Sequence, residues 1–481
     1  MRCQPSQTKT IFALVKKKKF TLENVPVTGY AAGGKALARL DGKVIFIDGA
    51  VPGDVADVFV TKNKKDWAEG KAVKIKEYSD ERVKPFCKHF GICGGSKWQI
   101  LPYHKQLEYK EQEARDAFKR IGKLGEVPVL KILGSEKTIH YRNKLEFTFS
   151  NKKYLLPDEL KALGENEWPG GAVGYHLPRV YDKVIDITEC WLMDDVNNEV
   201  RNCLRDYAKE NNCSFYDIKE HTGWLRNIII RYCTTGELMV NIVFGYDDEE
   251  ERKKIGNYLL KKVPQITTLL YTINPKWNDS IYDLNPKIIS GKGYVIEKLE
   301  EFNFKISPKS FFQTNTQQAE VLYNVVKDFA DLGGEEIVYD LYCGTGSIGI
   351  FLSKSVKKII GVDAIEEAIN DAKENAVLNN LGHASFYTGD VIDICNNEFF
   401  ELHGRPDVVI VDPPRAGLHA KLIDKLIEIA PPKMVYVSCN VATQARDLQL
   451  LNEKFVVEKL QPVDMFPHTH HIECVALLKL K

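Results

Sequence analysis

The chain has 481 residues, of which 44% are hydrophobic and 27% charged, and its 66 Lys and Arg residues balance its 66 Asp and Glu residues. This composition is typical of globular proteins, and at ~150 residues per domain the length predicts about three domains. Eleven scattered cysteines exclude a small secreted disulfide scaffold, and no apolar run reaches the ~18 residues of a transmembrane helix. Since the N-terminus lacks a signal-peptide pattern, we expect a cytoplasmic protein with no membrane partner.

The N-terminal region predicts a small, OB-like β-barrel. Short alternating strands at residues 43–47 and 54–60 are separated by glycine turns at Gly34, Gly42 and Gly53. Lysines cluster at residues 16–19 and again at residues 62–76. Barrels of this kind often bind single-stranded nucleic acid, so the lysines indicate either an RNA-binding surface or an ordinary solvated face.

A cysteine-rich segment follows the predicted barrel. It places Cys87, Cys93 and Ser96 in the pattern Cys-x5-Cys-Gly-Gly-Ser. A helix is predicted at residues 102–121, because apolar residues recur there at helical spacing. Residues 130–305 contain apolar runs at 144–149, 227–231 and 238–244, which predict a mixed α+β middle domain.

From about residue 311, short apolar runs alternate with helical patterns. This alternation predicts a doubly wound α/β sheet with helices on both faces. The strands are expected at residues 336–341, 358–363, 384–387, 406–411, 434–437 and 455–460, and two of the helices at residues 365–379 and 421–429.

The first of these strands runs into a glycine loop. Residues 344–349, Gly-Thr-Gly-Ser-Ile-Gly, formally fit a dinucleotide fingerprint, and Asp363 about 20 residues later can accept ribose hydroxyls. However, Asp340 precedes the glycines, and a carboxylate there would repel a pyrophosphate. It suits the cationic amino-acid end of S-adenosylmethionine, and Asp390 offers an acid for the adenine edge. The loop therefore favours S-adenosylmethionine over a dinucleotide.

Two further segments are predicted to frame the donor site. A buried strand ends at Asp412 and is followed by Pro413 and Pro414, which stiffen the loop. In methyltransferases this position lies beside the methyl donor and the acceptor base. Gln313 precedes a helix expected to open at Thr316, where its amide can hydrogen-bond the donor's carboxylate. Each feature alone would be an ordinary turn or surface amide.

Cys439 follows an apolar strand at the edge where open α/β sheets bind ligands. A lone cysteine is more often a buried structural thiol, but Glu473 heads the final apolar strand, where a carboxylate is unusual. The two match one reaction: a thiolate added to C6 of uracil makes C5 nucleophilic, and a base then removes the C5 proton. We therefore predict Cys439 as nucleophile and Glu473 as base, and we interpret the neighbouring histidines as structural or solvent-exposed.

Together, and in this order, these motifs resemble the RNA uracil-5-methyltransferases of the TrmA/RumA type over nearly the whole chain. The resemblance implies a Rossmann-like class I methyltransferase domain and an N-terminal TRAM barrel, as in the ribosomal-RNA members. It implies that Cys439 is the nucleophile, that Glu473 is the base and that Arg415 faces the target uridine. The S-adenosylmethionine-binding positions that it implies are Gln313, Tyr342, Gly344, Gly346, Ser347, Asp363, Asp390 and Asp412.

The cysteine segment departs from this family pattern. Many relatives hold a 4Fe-4S iron-sulfur cluster through Cys-x5-Cys-Gly-Gly-Cys and a distant cysteine. Cys87, Cys93 and Cys190 match those metal ligands, but Ser96 stands where the third cysteine belongs. A cluster with one oxygen ligand, a three-iron cluster, zinc held with His89, and no metal all stay open. Any cluster would be structural, because the expected chemistry transfers no electrons.

The expected organisation has three parts: a TRAM-like RNA-binding barrel at residues 1–80, an RNA-binding middle domain with the cysteine motif at 81–310, and the methyltransferase domain at 311–481. We expect a cytoplasmic, monomeric enzyme that methylates C5 of a uridine in 23S ribosomal RNA. The target base must leave its stack to reach a thiolate inside a pocket. The alternatives are a tRNA substrate, methylation of an exocyclic nitrogen beside Asp412, and an RNA-assembly factor with a vestigial methyltransferase fold.

Overall fold

The computed structural model describes residues 20–163, 170–178 and 180–481. The lysine run at residues 16–19, interpreted either as an RNA-binding surface or as a solvated face, lies outside the described residues. The chain divides into two compact units, Met1–Arg82 and Val83–Lys481. Within the described part of the chain, no helix combines the length and the apolar character that crossing a bilayer requires.

The N-terminal unit is a six-stranded sheet. Its strands are β1 (Thr21–Pro26), β2 (Gly29–Ala31), β3 (Lys35–Leu40), β4 (Lys43–Asp48), β5 (Val55–Asn63) and β6 (Trp67–Glu77). Their order in the sheet is β1-β5-β6-β4-β3-β2. Alternate residues of β3 and β4 are buried in the core of this unit, as the period of two requires: Ala36, Ala38, Ile45 and Ile47. Both strands predicted in this region are confirmed.

The first half of the larger unit centres on a seven-stranded mixed sheet. Its elements are α1 (Tyr103–Arg120), β7 (Lys144–Ser150), α2 (Pro157–Ala162), β8 (Ala172–Leu177), β9 (Val180–Asp186), α3 (Val196–Glu210), β10 (Leu225–Tyr232), β11 (Leu238–Phe244), α4 (Glu249–Lys262), β12 (Thr268–Ile273) and β13 (Lys287–Ser290). The strand order is β13-β12-β11-β10-β7-β8-β9. β11 is buried along its whole length, as is typical of a central strand covered on both faces.

The second half contains the predicted doubly wound sheet. Its elements are β14 (Val295–Leu299), β15 (Phe302–Ile306), α5 (Thr316–Ala330), β16 (Ile337–Leu341), α6 (Ser347–Leu352), a 3₁₀ turn (Ser353–Ser355), β17 (Lys358–Asp363), α7 (Glu366–Leu378), β18 (Ala384–Thr388), α8 (Val391–Ile394), α9 (Asn397–His403), β19 (Val408–Val411), α10 (Ala420–Ile429), β20 (Lys433–Ser438), α11 (Val441–Leu451), β21 (Phe455–Val463) and β22 (Glu473–Leu480). The strand order is β18-β17-β16-β19-β20-β22-β21. Strands β16 to β20 are parallel, and β22 runs antiparallel to both of its neighbours. The order reverses beside β16, at a switch point where such sheets bind ligands.

Helices cover both faces of this C-terminal sheet. Val408 and Ile410 of β19 pack in one core with α5, α6 and α7, whereas Val409 and Val411 pack in the other with α10 and α11. Residues before position 311 complete both layers, because α1 joins the second core and the β14–β15 hairpin joins the first. The domain boundary predicted between residues 310 and 311 stays a prediction.

Candidate active site

The loop between β16 and α6 carries the predicted glycines. Tyr342, Gly344 and Gly346 have φ angles of 63°, 54° and 76°, a region that favours glycine. A Cβ on Gly346 would lie 2.8 Å from the Phe386 ring, whereas a Cβ on Gly344 would meet no atom within 4 Å. The loop therefore leaves open space beside Gly344, where a ligand can approach the backbone.

Three of the predicted donor-binding side chains lie together around this loop. Asp363, at the end of β17, accepts a hydrogen bond from the Gly344 N–H at 3.0 Å. Asp390 caps the N-terminus of α8. Burial raises the pKa of the Tyr342 phenol, and the carboxylates of Asp390 and Asp363 raise it further. The structure thus gathers these residues at the carboxyl ends of neighbouring strands.

Asp340 supplies a buried carboxylate oxygen that lacks a partner. Its side chain lies at the end of β16 and is 0% exposed. Oδ2 accepts a hydrogen bond from the Gly349 N–H at 2.9 Å, whereas Oδ1 has no hydrogen-bond partner among the described residues. Burial raises the pKa of this carboxyl to about 7. Because an unsatisfied buried acceptor is costly, this site fits the ammonium group of S-adenosylmethionine.

The remaining predicted donor residues are held by neighbouring elements. The Ser347 hydroxyl lies 2.8 Å from the Tyr323 hydroxyl. Gln313 is half-buried, and its backbone carbonyl accepts a hydrogen bond from Asn143 Nδ2 at 2.9 Å. Asn315 caps α5, which fixes the end of this segment. The contact between the Gln313 amide and a donor carboxylate stays a prediction.

Cys439 and Glu473 are brought together by strand register. Strand β20 ends at Ser438, which lies opposite Cys474 of β22 in the antiparallel pair. One residue further along in each direction, Cys439 and Glu473 therefore take opposing positions at the edge of the sheet. Cys439 is half-buried and Glu473 is 6% exposed. The register thus places a half-buried thiol opposite a buried carboxyl group.

The charges at this edge act on one another. Burial, followed by Glu473 and Asp412, raises the pKa of the Cys439 thiol to about 11, while Arg415 lowers it. Burial and Asp412 raise the pKa of Glu473 well above the ordinary carboxyl value, and Arg415 again opposes the shift. Burial raises the pKa of Asp412 to about 7. The site therefore pairs a thiol with a carboxylate of raised basicity, and Arg415 stabilises the ionised form of each.

Asp447 fixes the loop that follows Asp412, although sequence analysis did not single it out. Its fully buried carboxylate accepts hydrogen bonds from the Tyr436 hydroxyl and from the Leu418 N–H, both at 2.7 Å. Arg446 forms an ion pair with it at 2.7 Å. Because α11 mixes apolar and polar residues, the available signal was only the helical spacing that puts Asp447 on one face with Gln444 and Leu451.

Two polar residues of α1 hold the segment between β21 and β22, and sequence analysis missed both. Lys110 Nζ lies 2.6 Å from Asp464 Oδ1, and both side chains are fully buried. Gln106 accepts a hydrogen bond from the His468 N–H at 2.8 Å. Helix α1 thereby anchors the chain just before Glu473. A sequence signal was available for both residues. Gln106, Lys110 and Ala114 are spaced by four residues, so the helical period places the two polar side chains on the same face as the apolar one.

A cavity of about 500 Å³ adjoins this segment and is lined by His470 and His471. Burial, followed by neighbouring positive charge, lowers the pKa of His470 to about 3 and that of His471 to about 4. His468 is buried against α1, in agreement with the structural role expected for it. Among the described residues that line the cavity, the charged ones are Lys97, Arg142, Lys144, Arg231 and Glu146. This excess of positive charge suits an RNA backbone.

The cysteine segment forms a second, much smaller cavity. Its volume is about 20 Å³, which is space for about one water molecule. Gln99 Nε2 donates to Ser96 Oγ at 2.8 Å, and Gln99 Oε1 accepts from the Cys87 N–H at 3.1 Å. The cysteines lining this cavity are Cys87, Cys93 and Cys190.

These residues do not fit a 4Fe-4S cluster. Only three of the four ligand positions carry thiols, and the fourth is the Ser96 hydroxyl that Gln99 engages. Among the described residues, no group of three His, Cys, Asp or Glu side chains has the arrangement of a metal site. A structural iron-sulfur cluster or a zinc ion is therefore not supported by this geometry.

Comparisons with known proteins match the chain to RNA methyltransferases. A family model described as tRNA (Uracil-5-)-methyltransferase matches residues 230–481, and a TRAM domain model matches residues 16–73. An RNA methyltransferase of Bacteroides thetaiotaomicron is 49% identical over 94% of this chain and 100% of its own length. One from Porphyromonas gingivalis is 47% identical over 94% of this chain and 98% of its own length.

A solved structure shares the fold along nearly the whole chain. The Pyrococcus abyssi tRNA (uracil-54, C5)-methyltransferase, in complex with S-adenosyl-L-homocysteine, superimposes with a TM-score of 0.72 at 29% identity. The match covers 95% of this chain and 100% of that chain. The predicted class I methyltransferase fold, the TRAM domain and the S-adenosylmethionine cofactor are confirmed. The chain therefore belongs to the tRNA (uracil-5-)-methyltransferase family and is an S-adenosylmethionine-dependent RNA methyltransferase.

Proposed function

We propose that the protein methylates C5 of a uridine in 23S ribosomal RNA, with Cys439 as nucleophile and Glu473 as base. The observation that carries this proposal is the register of β20 and β22, which sets a thiol and a buried carboxyl group at opposing positions. The electrostatic effect of Glu473 on the pKa of Cys439 supports their proximity. Methylation of an exocyclic nitrogen would require neither group.

The chemistry follows from these two side chains. The Cys439 thiolate bonds to C6 of uracil, and the electron pair of the 5,6 double bond makes C5 nucleophilic. S-adenosylmethionine, when bound, would supply the methyl group: the new bond to C5 forms as the sulfonium–methyl bond breaks, and S-adenosylhomocysteine is the leaving group. Glu473 then takes the C5 proton, the double bond re-forms, and the bond between sulfur and C6 breaks to release the thiolate. Arg415 assists both residues, because it lowers the pKa of each.

The substrate class rests on two features. The cavity beside His470 and His471 carries an excess of cations that suits a phosphodiester chain. The TRAM domain supports an RNA substrate, and the resemblance associates this domain with the ribosomal-RNA members, which is the reason for placing ribosomal RNA first. The match to the Pyrococcus abyssi tRNA enzyme covers 95% of this chain and therefore includes most of the same domain. The Pyrococcus abyssi relative acts on uracil 54 of tRNA, so tRNA is the second candidate substrate. We place the enzyme in the cytoplasm and expect it to act as a monomer.

The test is covalent trapping on 5-fluorouridine-substituted ribosomal RNA, with substituted tRNA in a parallel reaction. Fluorine cannot leave C5 as a proton, so the reaction stalls after methyl transfer with the protein attached to RNA. We expect a denaturant-resistant band on a gel for the wild type and for the control Cys203→Ala, and no such band for Cys439→Ala. A protein that binds S-adenosylmethionine but forms no adduct with either RNA would overturn the proposed mechanism and favour nitrogen methylation.

A further inference from the structure

An exposed aromatic side chain stands on the loop between β12 and β13. The Trp277 indole is 77% exposed, whereas Trp98 and Trp224 are buried. Its ring stacks on the His221 imidazole with the centroids 4.6 Å apart and the planes inclined by 2°. One face of the indole is therefore covered by His221, and the opposite face remains open to a further ring.

Arg226 is buried beneath this loop and forms hydrogen bonds with its backbone. Its side chain is 1% exposed, and its guanidinium donates hydrogen bonds to the carbonyl oxygens of Asn274 at 2.7 Å, Lys276 at 2.6 Å and Asn278 at 3.1 Å. These carbonyls flank Trp277 on both sides. The buried cation thus fixes the backbone that carries the exposed indole.

The same arginine also supports the imidazole on which Trp277 stacks. The Arg226 guanidinium lies 3.9 Å from the centroid of the Tyr216 ring, and the Tyr216 hydroxyl lies 3.2 Å from His221 Nδ1. The contacts run from Arg226 through Tyr216 and His221 to Trp277, and Arg226 also bonds the backbone of the residues on either side of Trp277. An indole fixed in this way loses little conformational entropy when a ligand stacks on it.

The loop continues into the positively charged cavity. Tyr282, five residues after Trp277, is 64% exposed and lines that cavity, and its carbonyl oxygen accepts a hydrogen bond from Lys309 Nζ at 2.9 Å. The two carboxylates of the loop are neutralised by ion pairs, Asp279 with Arg226 and Asp283 with Lys276. An anionic chain can therefore run from the indole to the cavity without meeting uncompensated negative charge.

We propose that Trp277 is a stacking platform for an unpaired base of the RNA substrate, near the nucleotide that enters the active site. This inference rests on the proposed function, in which a folded RNA presents a splayed loop to Cys439. Aromatic side chains stack on the faces of unpaired bases, and this contact is available to every base because each has a π-face. The His221 ring and the Arg226 hydrogen bonds fix the indole, and its opposite face stays open for this contact.

The test measures binding of a fluorescein-labelled, uridine-rich, single-stranded RNA by fluorescence anisotropy. Trp277→Ala removes the ring, Trp277→Phe keeps a smaller one, and Leu402→Ala is the control, since Leu402 is 75% exposed on the separate helix α9. We expect Trp277→Ala to raise the Kd about tenfold, Trp277→Phe to raise it about two- to threefold, and Leu402→Ala to leave it unchanged. Wild-type affinity in Trp277→Ala would overturn the proposal and leave a protein partner as the occupant of this surface.

A second readout separates stacking from a structural effect. The same RNA carrying 2-aminopurine should lose fluorescence when it binds the wild type or Trp277→Phe, and should lose less when it is saturated with Trp277→Ala. Equal quenching by all three would contradict stacking on the indole. If the Trp277 variants bind and quench like the wild type while Cys439-dependent trapping is intact, base stacking on Trp277 is wrong and the proposed function stands. If the wild type forms no trapped adduct while Trp277→Ala binds RNA more weakly, the proposed function is wrong and stacking on Trp277 stands.

Discussion

A single cysteine and a group of three cysteines were predicted to be functional, and the two sites differ in how the chain brings their partner residues into place. Cys439 follows β20 directly, and the register with β22 places Glu473 opposite it. Cys87, Cys93 and Cys190 instead lie on loops, and the position that would complete their site holds Ser96, engaged by Gln99. The comparison shows that the register of two strands can place a thiol and a carboxyl group at opposing positions, whereas a loop cluster depends on every one of its ligands.

The strongest test of the strand-based pair is Glu473→Gln. Without a base, the C5 proton cannot leave, so we expect methyl transfer to proceed and the protein–RNA adduct to accumulate on unmodified RNA. Turnover should fall by roughly 10²–10⁴-fold, the range that general-base removal typically costs. Steady-state methylation and denaturing gels would measure the two effects together.

The matched control for this variant is Glu458→Gln, which alters a glutamate that pairs with Lys479 on the adjoining strand. It should turn over like the wild type and show no adduct on unmodified RNA. Adduct-free, fully active Glu473→Gln would show that a different group removes the proton.

The buried ion pair between Lys110 and Asp464, which anchors the segment before Glu473, should be nearly as sensitive to substitution. Asp464→Ala leaves Lys110 as an unpaired buried cation on α1, and breaking a buried pair by removing one partner costs about 3–5 kcal/mol. Urea unfolding of the full chain should show that loss. Lys253→Ala breaks a pair on α4 in which both side chains are more than half exposed, and should leave the free energy of unfolding essentially unchanged, because water screens such a pair. Similar effects of the two substitutions would contradict a supporting role for Asp464.

The loop cluster can be examined by restoring its missing thiol. After anaerobic reconstitution with iron and sulfide, we expect the wild type to retain little iron, because its fourth position is a hydrogen-bonded hydroxyl. Ser96→Cys should retain about four irons per chain and show the broad visible absorbance of a 4Fe-4S cluster. Ser96→Ala is the control for loss of the Gln99 contact alone. A wild type that carries a full cluster would show that Gln99 releases Ser96 to the metal.

Much of the fold and the centre of the site were accessible from the sequence because they depend on local signals. The apolar runs predicted the strands of the C-terminal sheet, and the residues at their ends, such as Asp363 and Cys439, follow from the rule that parallel strands share one edge. The antiparallel insertion of β22 between β20 and β21 was not predicted, although Glu473 depends on it. No local pattern specifies that long-range pairing.

The supporting residues were missed for a related reason. Lys110 and Asp464 are 354 positions apart in the chain. Helical spacing places Lys110 on the apolar face of α1, but no local pattern identifies Asp464 as its partner. The packing of α1 on the C-terminal sheet also crosses the boundary at residue 311, which was predicted from the change to alternating strands and helices. Trp277 gave no sequence signal, because its exposure follows from how Arg226 and His221 hold its loop.

The subtlest expected effect concerns the charge that Glu473 exerts on Cys439. Burial, Glu473 and Asp412 raise the pKa of this thiol to about 11. At pH values below 11, each rise of one pH unit should therefore speed alkylation by iodoacetamide about tenfold, because the thiolate fraction grows by that factor. Glu473→Gln removes one of the raising charges, so the pKa falls and alkylation at pH 8 should become a few-fold faster. Arg415→Ala removes a lowering charge and should slow it. Cys203 on α3 provides an internal reference, because burial also raises its pKa to about 11 but Glu473 is not among the causes. Peptide mass spectrometry can follow both thiols in one sample, and equal changes at Cys203 and Cys439 would contradict a specific pairing of Cys439 with Glu473.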